Sequence, residues 1–431
     1  EFMDVLPPEL ITIRMPYPDA PPCRLEWDAL TAAASPMATP VVRGPDELVT
    51  LVYTSGTTGH PKGVMVNWNN VSFTINGLMK TMPPQKQEVF FSYLPLAHMF
   101  ERGAVELASL YLGAQIYFLE HLEKLPEQLA FVRPTRFFGV PLVYTRVQAG
   151  ILKKMPQEKL DKLLKIPVLS GLIKRKIKRA IGLDRAGYIF SGAAPMPRPL
   201  LEWFAKLGIT VLQGYGMTEN SIYASANTPS ANRIGSVGRE MPGANTRISE
   251  SGEILYKHPG VMTGYYKDPE KTRETFTADG YLRTGDKGHL DADGYLFITG
   301  RVKDIFKTMK GKYVAPAPIE GALARNTDID QLCFTGSELK QPIMLVSLSD
   351  LGRGKSREEV ERGLIAEMEA VNTTLEPHEA IGKIVVVKDT WTIDNNLMTP
   401  TMKVKRNEIE KRYGALISKE GETRNKVSWE A

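Results

Sequence analysis

The sequence has 431 residues, 42% hydrophobic and 24% charged, with 36 glycines and 30 prolines. At roughly 100–200 residues per domain it holds two to four globular domains, which excludes collagen, coiled coil and wholesale disorder. Lys and Arg number 54 against 49 Asp and Glu, and the two cysteines, Cys23 and Cys333, show no CxxC or His/Cys clustering, so neither a disulfide framework nor a structural zinc is indicated and a reducing, cytoplasmic setting fits.

No apolar run approaches the roughly 20 residues of a membrane-spanning helix, and the first residues lack the basic-then-apolar order of a secretory signal. Residues 1–45 are rich in Pro and Ala and read as a partly extended lead-in. The β-rich run Leu48 to Tyr53 follows, then a Gly/Thr loop, then VMVNWNNVSFTINGLMKTM, whose spacing predicts a helix. Short strand candidates recur in YLPLA, AQIYFL, TRFFGV, AGYIFSG and TVLQGYG, several followed by helical stretches such as 196–207. This alternation predicts an α/β sheet. From about Asn232 to Thr299, strands punctuated by PG, SG and DG turns predict a smaller β-rich subdomain. Beyond Arg301 a compact α+β segment is expected, with SREEVERGLIAEMEAVNTTL as its clearest helix. The expected division is a large domain over 1–302 and a small one over 303–431.

Charge is uneven. Residues 151–185 hold eleven Lys/Arg against three Asp/Glu. In IPVLSGLIKRKIKRAIGL the apolar residues and cations fall at near-helical spacing, a pattern that fits either a peripheral membrane surface or a solvated helix face. Without aromatic interleaving or a recognition motif, it gives no case for nucleic acid.

The loop Thr54-Ser55-Gly56-Thr57-Thr58-Gly59-His60-Pro61-Lys62-Gly63 combines four hydroxyls, three glycines and one lysine after a strand. Such a loop offers close backbone approach, hydroxyl donors and a mobile cation to a polyphosphate. It is not a Walker A loop, because His60 and Pro61 separate Gly59 from Lys62. A plain hairpin is the alternative.

TSGTTGHPKG resembles the phosphate loop of the adenylate-forming enzymes, the superfamily of acyl-CoA synthetases, peptide-synthetase adenylation domains and firefly luciferase. Seven further motifs follow in that superfamily's order: YLPLAHMFER (93–102), SGAAP (191–195), GYGMTE (214–219), YLRTGD (281–286), GRVKD (300–304), APAPIE (315–320) and TPTMKVKR (399–406). The first and last of these seven most resemble the long-chain fatty acyl-CoA synthetase branch. The implied fold is an acyl-CoA synthetase-like α/β large domain with a β-rich subdomain and a small mobile α+β C-terminal domain. Only 53 residues precede the phosphate loop, fewer than the family's usual N-terminal segment, so the large domain is expected to lack part of it.

The resemblance implies an ATP- and magnesium-dependent ligase that activates a fatty acid to acyl-adenylate and passes the acyl group to CoA, with fatty acid, ATP and CoA as partners. Transfer to a carrier protein instead, or a non-catalytic nucleotide-binding fragment, are the alternatives. The nucleotide would meet Thr54 to Gly59 and Lys62, the small residues Gly192, Ala193 and Ala194, and Gly214, Tyr215, Gly216 and Met217. Tyr215 offers a ring to a purine, Thr218 a hydroxyl to the α-phosphate and Glu219 a hard oxygen to magnesium. Asp286 and Arg301 would meet the ribose. His98 would sit beside the acyl carboxylate, although a histidine in an apolar run also fits a satisfied core position. Lys403 would reach the α-phosphate, and Lys303 matches the family's hinge. Phe137, Phe138, Gly139 and Val140 suit either an acyl tunnel or core packing. Lys310-Gly311 stands where related synthetases often carry paired glycines near the thiol acceptor, so the CoA reading is less well marked than the ATP reading.

Overall fold

A computed structural model describes residues 6–17, 20–54, 61–337, 339–399, 403–423 and 425–430. The chain divides into two compact units, residues 1–44 and 45–431. The first unit pairs Ile13–Arg14 with Leu25–Glu26 in parallel and adds the helix Trp27–Ala33, none of whose residues is buried.

The second unit carries the expected α/β layering. Strands Arg136–Gly139, Tyr188–Ser191 and Leu212–Tyr215 lie parallel and adjacent, and two short antiparallel strands, Ser225–Ala226 and Arg239–Glu240, extend that sheet. Helices Pro141–Lys154, Gln157–Leu164 and Pro167–Ala180 fill the first crossover, and Arg198–Lys206 fills the second. Pro141 and Pro167 stand at the first helical positions, where no N–H is needed. Alternation along the strand sends Phe137 and Phe138 to opposite faces. Phe137 packs with Tyr144, Ile189 and Phe204, while Phe138 packs with Phe90, Phe190 and Leu212. Both phenylalanines are therefore core residues, their rings edge-on to Tyr144 and stacked on Phe190 respectively.

The strand after the Gly/Thr loop corrects one reading. Val64–Asn67, read from sequence as the start of the helix, instead belongs to the strand Lys62–Asn67, which pairs antiparallel with Leu48–Thr54, Thr54 opposite Lys62. The helix starts only at Trp68, because Asn67 and Asn70 each accept a hydrogen bond from the other's backbone N–H at 2.8 and 2.9 Å, a reciprocal cap. YLPLA is also no strand. Val89–Ser92 is the strand, paired in parallel with Gln115–Phe118, and Tyr93 to Ala97 form the connection to the helical turn Met99–Glu101.

Strands Thr246–Ile248, Glu253–Tyr256, Leu282–Leu290 and Leu296–Arg301 form the antiparallel β-rich sheet. Its turns use Gly252 and Gly294 at φ 80° and 79°, conformations that suit glycine. The C-terminal residues build a four-stranded sheet, Ile329–Thr335, Ile343–Leu348, Lys383–Val387 and Val427–Trp429. Phe334, Val346 and Leu364 pack on one face, Cys333, Leu345, Ile409 and Tyr413 on the other. No described helix is long and apolar enough to cross a membrane.

Candidate nucleotide site

The segment Gly214–Ile222 is held in an uncommon backbone shape. Ser221 and Ile222 have φ of 53° and 58°, a conformation costly for residues with a Cβ and sustained only by surrounding contacts. Those contacts are the Asn220 carboxamide oxygen, which accepts from the Met217 N–H at 2.8 Å, and the Met217 carbonyl, which accepts from the Ile222 N–H at 2.9 Å. Gly216 lies so close beneath that a Cβ there would come within 2.4 Å of the Ile222 carbonyl carbon and oxygen. The loop so folded carries Tyr215 at one end and Thr218 and Glu219 at the other.

Tyr215 ends its strand with its hydroxyl donating to Asp286 Oδ2 at 2.6 Å. Burial, then the Asp286 charge, pushes the Tyr215 pKa well up, so the phenol keeps its proton. Asp286 faces Arg301 in the register of two neighbouring strands, and Arg301 Nε donates to Asp286 Oδ1 at 2.8 Å. The carboxylate is buried while half of the guanidinium side chain stays exposed.

Lys403 comes to this place from the C-terminal segment. Its turn is closed by the Thr399 hydroxyl, which accepts from the Lys403 N–H at 3.0 Å. Burial lowers the amine to about 8; the Arg301 charge adds to this and Asp286 opposes it. His98 caps the turn Met99–Glu101, with Nδ1 accepting from the Phe100 N–H at 3.2 Å. Burial, and then the charge of Lys403, lowers this imidazole to about 4. It is therefore neutral at physiological pH, and with Nδ1 occupied as an acceptor its proton sits on Nε2.

A second group surrounds Glu219. Tyr265 donates its hydroxyl to Glu219 Oε1 at 2.8 Å, and the Met262 N–H donates to the Glu219 carbonyl at 2.8 Å. Buried Asn70 fixes the approach of this segment by donating to the Pro259 and Val261 carbonyls. Lys62 lies with its amine 5.3 Å from the centre of the Tyr265 ring. Burial and the charges of Lys271 and Lys303 lower the Lys62 pKa, while Glu219 and Asp268 oppose that shift. Beside this group is a cavity of about 580 Å³ lined by Tyr53, Lys62, Gly63, Tyr265 and Asp268 among others.

The structure thus brings together His98, Tyr215, Asp286, Arg301 and Lys403, and separately Lys62 and Glu219, with the 214–219 loop running between the two groups. Thr218 is buried at the start of the single helical turn Thr218–Asn220. Gly192, Ala193 and Ala194 leave the strand Tyr188–Ser191. A Cβ on Gly192 would touch the Phe100 ring at 3.4 Å, and Ala193 adopts φ 67°. Lys303 occupies an exposed turn. Thr54 is described, but Ser55, Gly56, Thr57, Thr58 and Gly59 lie outside the described residues. Tyr265 was missed in the sequence, although the GYYKD run at 264–268 places two aromatic rings beside charged residues.

Two family patterns match the chain: AMP-binding enzyme over residues 9–266 and the AMP-binding enzyme C-terminal domain over residues 303–421. A long-chain-fatty-acid–CoA ligase of Gallus gallus is 31% identical over 86% of this chain and 58% of its own length. The peroxisomal long chain acyl-CoA synthetase 6 of Arabidopsis thaliana is 31% identical over 87% of this chain and 61% of its own. The chain thus spans about three fifths of the length of these curated relatives. Among solved structures, ATP-bound MatB from Rhodopseudomonas palustris superposes with a TM-score of 0.70 at 28% identity, covering 90% of this chain and 73% of that one. The adenylation domain of a Mycobacterium chelonae carboxylate reductase, 24% identical, has a TM-score of 0.75 over 92% of this chain and 64% of that one, a likeness of fold.

Proposed function

This chain belongs to the AMP-binding enzyme family, and from that premise we propose that it activates a long-chain fatty acid with ATP and transfers the acyl group to CoA. In the first step a carboxylate oxygen attacks the α-phosphorus of ATP, the bond to the β-phosphate bridging oxygen breaks, and acyl-adenylate and pyrophosphate form. In the second the CoA sulfur, having lost its proton, attacks the acyl carbonyl carbon; AMP leaves and a thioester remains. The observation that supports this reading is that Lys403 lies within electrostatic range of His98, Asp286 and Arg301. The long-chain part of the proposal rests on the names of the relatives.

Lys403, still mostly protonated at pH 7, offsets the negative charge that grows on the α-phosphoryl oxygens. Neutral His98 donates from Nε2 to the acyl carboxylate without trapping it as a fixed ion pair. Asp286, already holding Tyr215 and Arg301 in place, keeps a free lone pair on each oxygen for a ribose hydroxyl. Thr54 and Lys62 meet the outer phosphates, with Lys62 drawn toward them by the cost of its burial among cations. Gly214, Gly216 and Met217 give the nucleotide a backbone surface, and Gly192, Ala193 and Ala194 border it with little bulk.

Among the described residues no group of three or more His, Cys, Asp or Glu is placed to hold a metal. A magnesium ion, which is commonly held by one or two carboxylates plus substrate phosphates, fits Glu219, whose Oε1 accepts from Tyr265 while Oε2 has no hydrogen-bond partner among the described residues. When bound, the ion would neutralise phosphate charge. The small domain proposed over 303–431 would pivot at Lys303 between the two steps.

The test is product analysis with ATP and fatty acids of several lengths, with and without CoA. Pyrophosphate and acyl-adenylate without CoA, and AMP with acyl-CoA when it is added, are expected. Release of ADP, acyl-adenylate that CoA leaves untouched, or nucleotide binding without turnover would each overturn the reading.

A further inference from the structure

The helix Pro167–Ala180 packs through Ile173 and Ile177 against the core beneath the parallel sheet. Its other face is open. Val168 is 80% exposed and Leu172, one turn on, 62%, with Ile166 just ahead of the helix at 51%. Spacings of three and four from Leu172 carry that face onward to Arg175 and Lys176, both exposed. Lys165 flanks the apolar end. Among the described residues Lys165, Arg175 and Lys176 form no ion pair. This surface therefore offers aliphatic groups and uncompensated cations side by side, on a helix held from behind by Ile173 and Ile177.

We propose that this face docks on a lipid bilayer carrying anionic head groups, with Ile166, Val168 and Leu172 entering the head-group boundary and Lys165, Arg175 and Lys176 meeting lipid phosphates. The charge is complementary to such a surface. The aliphatic groups tell against a solvated polyanion such as nucleic acid or an acidic protein tail, which would gain nothing from them. A bilayer uses both, since apolar area and cation attraction add in interfacial helices, and the long basic side chains reach head groups while their stems stay in apolar surroundings. The proposal is independent of the nucleotide chemistry.

The experiment is sedimentation of the full chain with phosphatidylcholine vesicles, with and without phosphatidylglycerol, at low and high salt. Binding only to the anionic vesicles, released by salt, is expected. Arg175→Gln with Lys176→Gln should lower partitioning roughly tenfold or more, and Val168→Ser with Leu172→Ser should weaken it further than salt alone does. Leu172→Trp should gain fluorescence quenched by brominated lipids, beyond that of the unmodified chain. Because all these positions are exposed, circular dichroism and thermal melting should be unchanged. Equal sedimentation with both vesicles, or binding that ignores Val168→Ser with Leu172→Ser while heparin competes fully, would overturn the proposal. Neither result depends on ATP turnover.

Discussion

Lys403 lies close enough to His98 for its positive charge to depress the imidazole pKa, although the two residues belong to motifs at opposite ends of the sequence. This coupling has a pH signature. The Lys403 amine, lowered to about 8, loses its charge well before an ordinary lysine at ~10.4. Adenylation kcat/KM should therefore fall as pH rises through about 8. Stability should move the other way: between that pH and ~10.4 the unfolded chain binds the proton that the folded chain gives up, so this group's contribution to stability increases with pH. In Lys403→Gln the His98 pKa should rise from about 4, yet stay below ~6.5 because burial persists. Pyrophosphate exchange against pH, thermal melting against pH and imidazole NMR titration check the three.

Lys403→Ala should lower acyl-adenylate formation by roughly 10²–10³-fold, the scale seen when one preorganised stabilising group is removed. Thioester formation from supplied acyl-adenylate should be spared. Lys303→Pro should do the reverse, since proline fixes φ near −65° and also restricts Val302 before it. Each half-reaction is measured separately in folded protein. Equal loss of both steps in Lys403→Ala would make that lysine structural.

Glu219→Ala should weaken magnesium-dependent adenylation severely while the fold persists, and Tyr265→Phe only mildly. The phenylalanine keeps the ring beside Lys62 and removes just the hydroxyl that donates to Glu219. Pyrophosphate exchange as a function of magnesium concentration separates them: Glu219→Ala should resist saturation, Tyr265→Phe should need a few times more metal. Unaltered exchange in folded Glu219→Ala would remove the carboxylate from the site.

Gly216→Ala tests the shape of the loop. Its φ is not in the left-handed region, so the penalty is steric, from a Cβ forced against the Ile222 backbone. Overpacking of this kind costs about 1–3 kcal/mol. Thermal melting should show a few degrees of loss, and ATP binding should weaken more than that loss explains, because Thr218 and Glu219 shift with the loop.

How much of this was legible in the sequence depended on the range of the signal. The α/β layering followed from alternating strand and helix patterns, and the parallel strands carrying Phe137, Ile189 and Leu212 lie where those patterns placed them. The strand Lys62–Asn67 did not, because KGVMVN is short and apolar and its period cannot separate strand from helix; the reciprocal cap at Asn67 and Asn70 was the available signal. YLPLA failed for a similar reason, its apolar residues belonging to a connection in which Leu94 is buried and Leu96 exposed. Asp286 and Arg301 were both marked by resemblance, but their pairing arises from strand register. Tyr265 escaped because its importance comes from partners, Glu219 and Lys62, that only folding brings near.

The hydrogen bond from Val302 N–H to the Gly285 carbonyl, at 2.9 Å, joins the Arg301–Asp286 pair in fastening the last strand of the β-rich sheet. The chain leaves for its C-terminal region from that anchorage, one residue before Lys303. The tether and the proposed ribose contact thus share a carboxylate. On the proposed reading a ribose held by Asp286 would share the carboxylate that fixes Arg301, so nucleotide binding would bear directly on the residues from which the chain enters its C-terminal region.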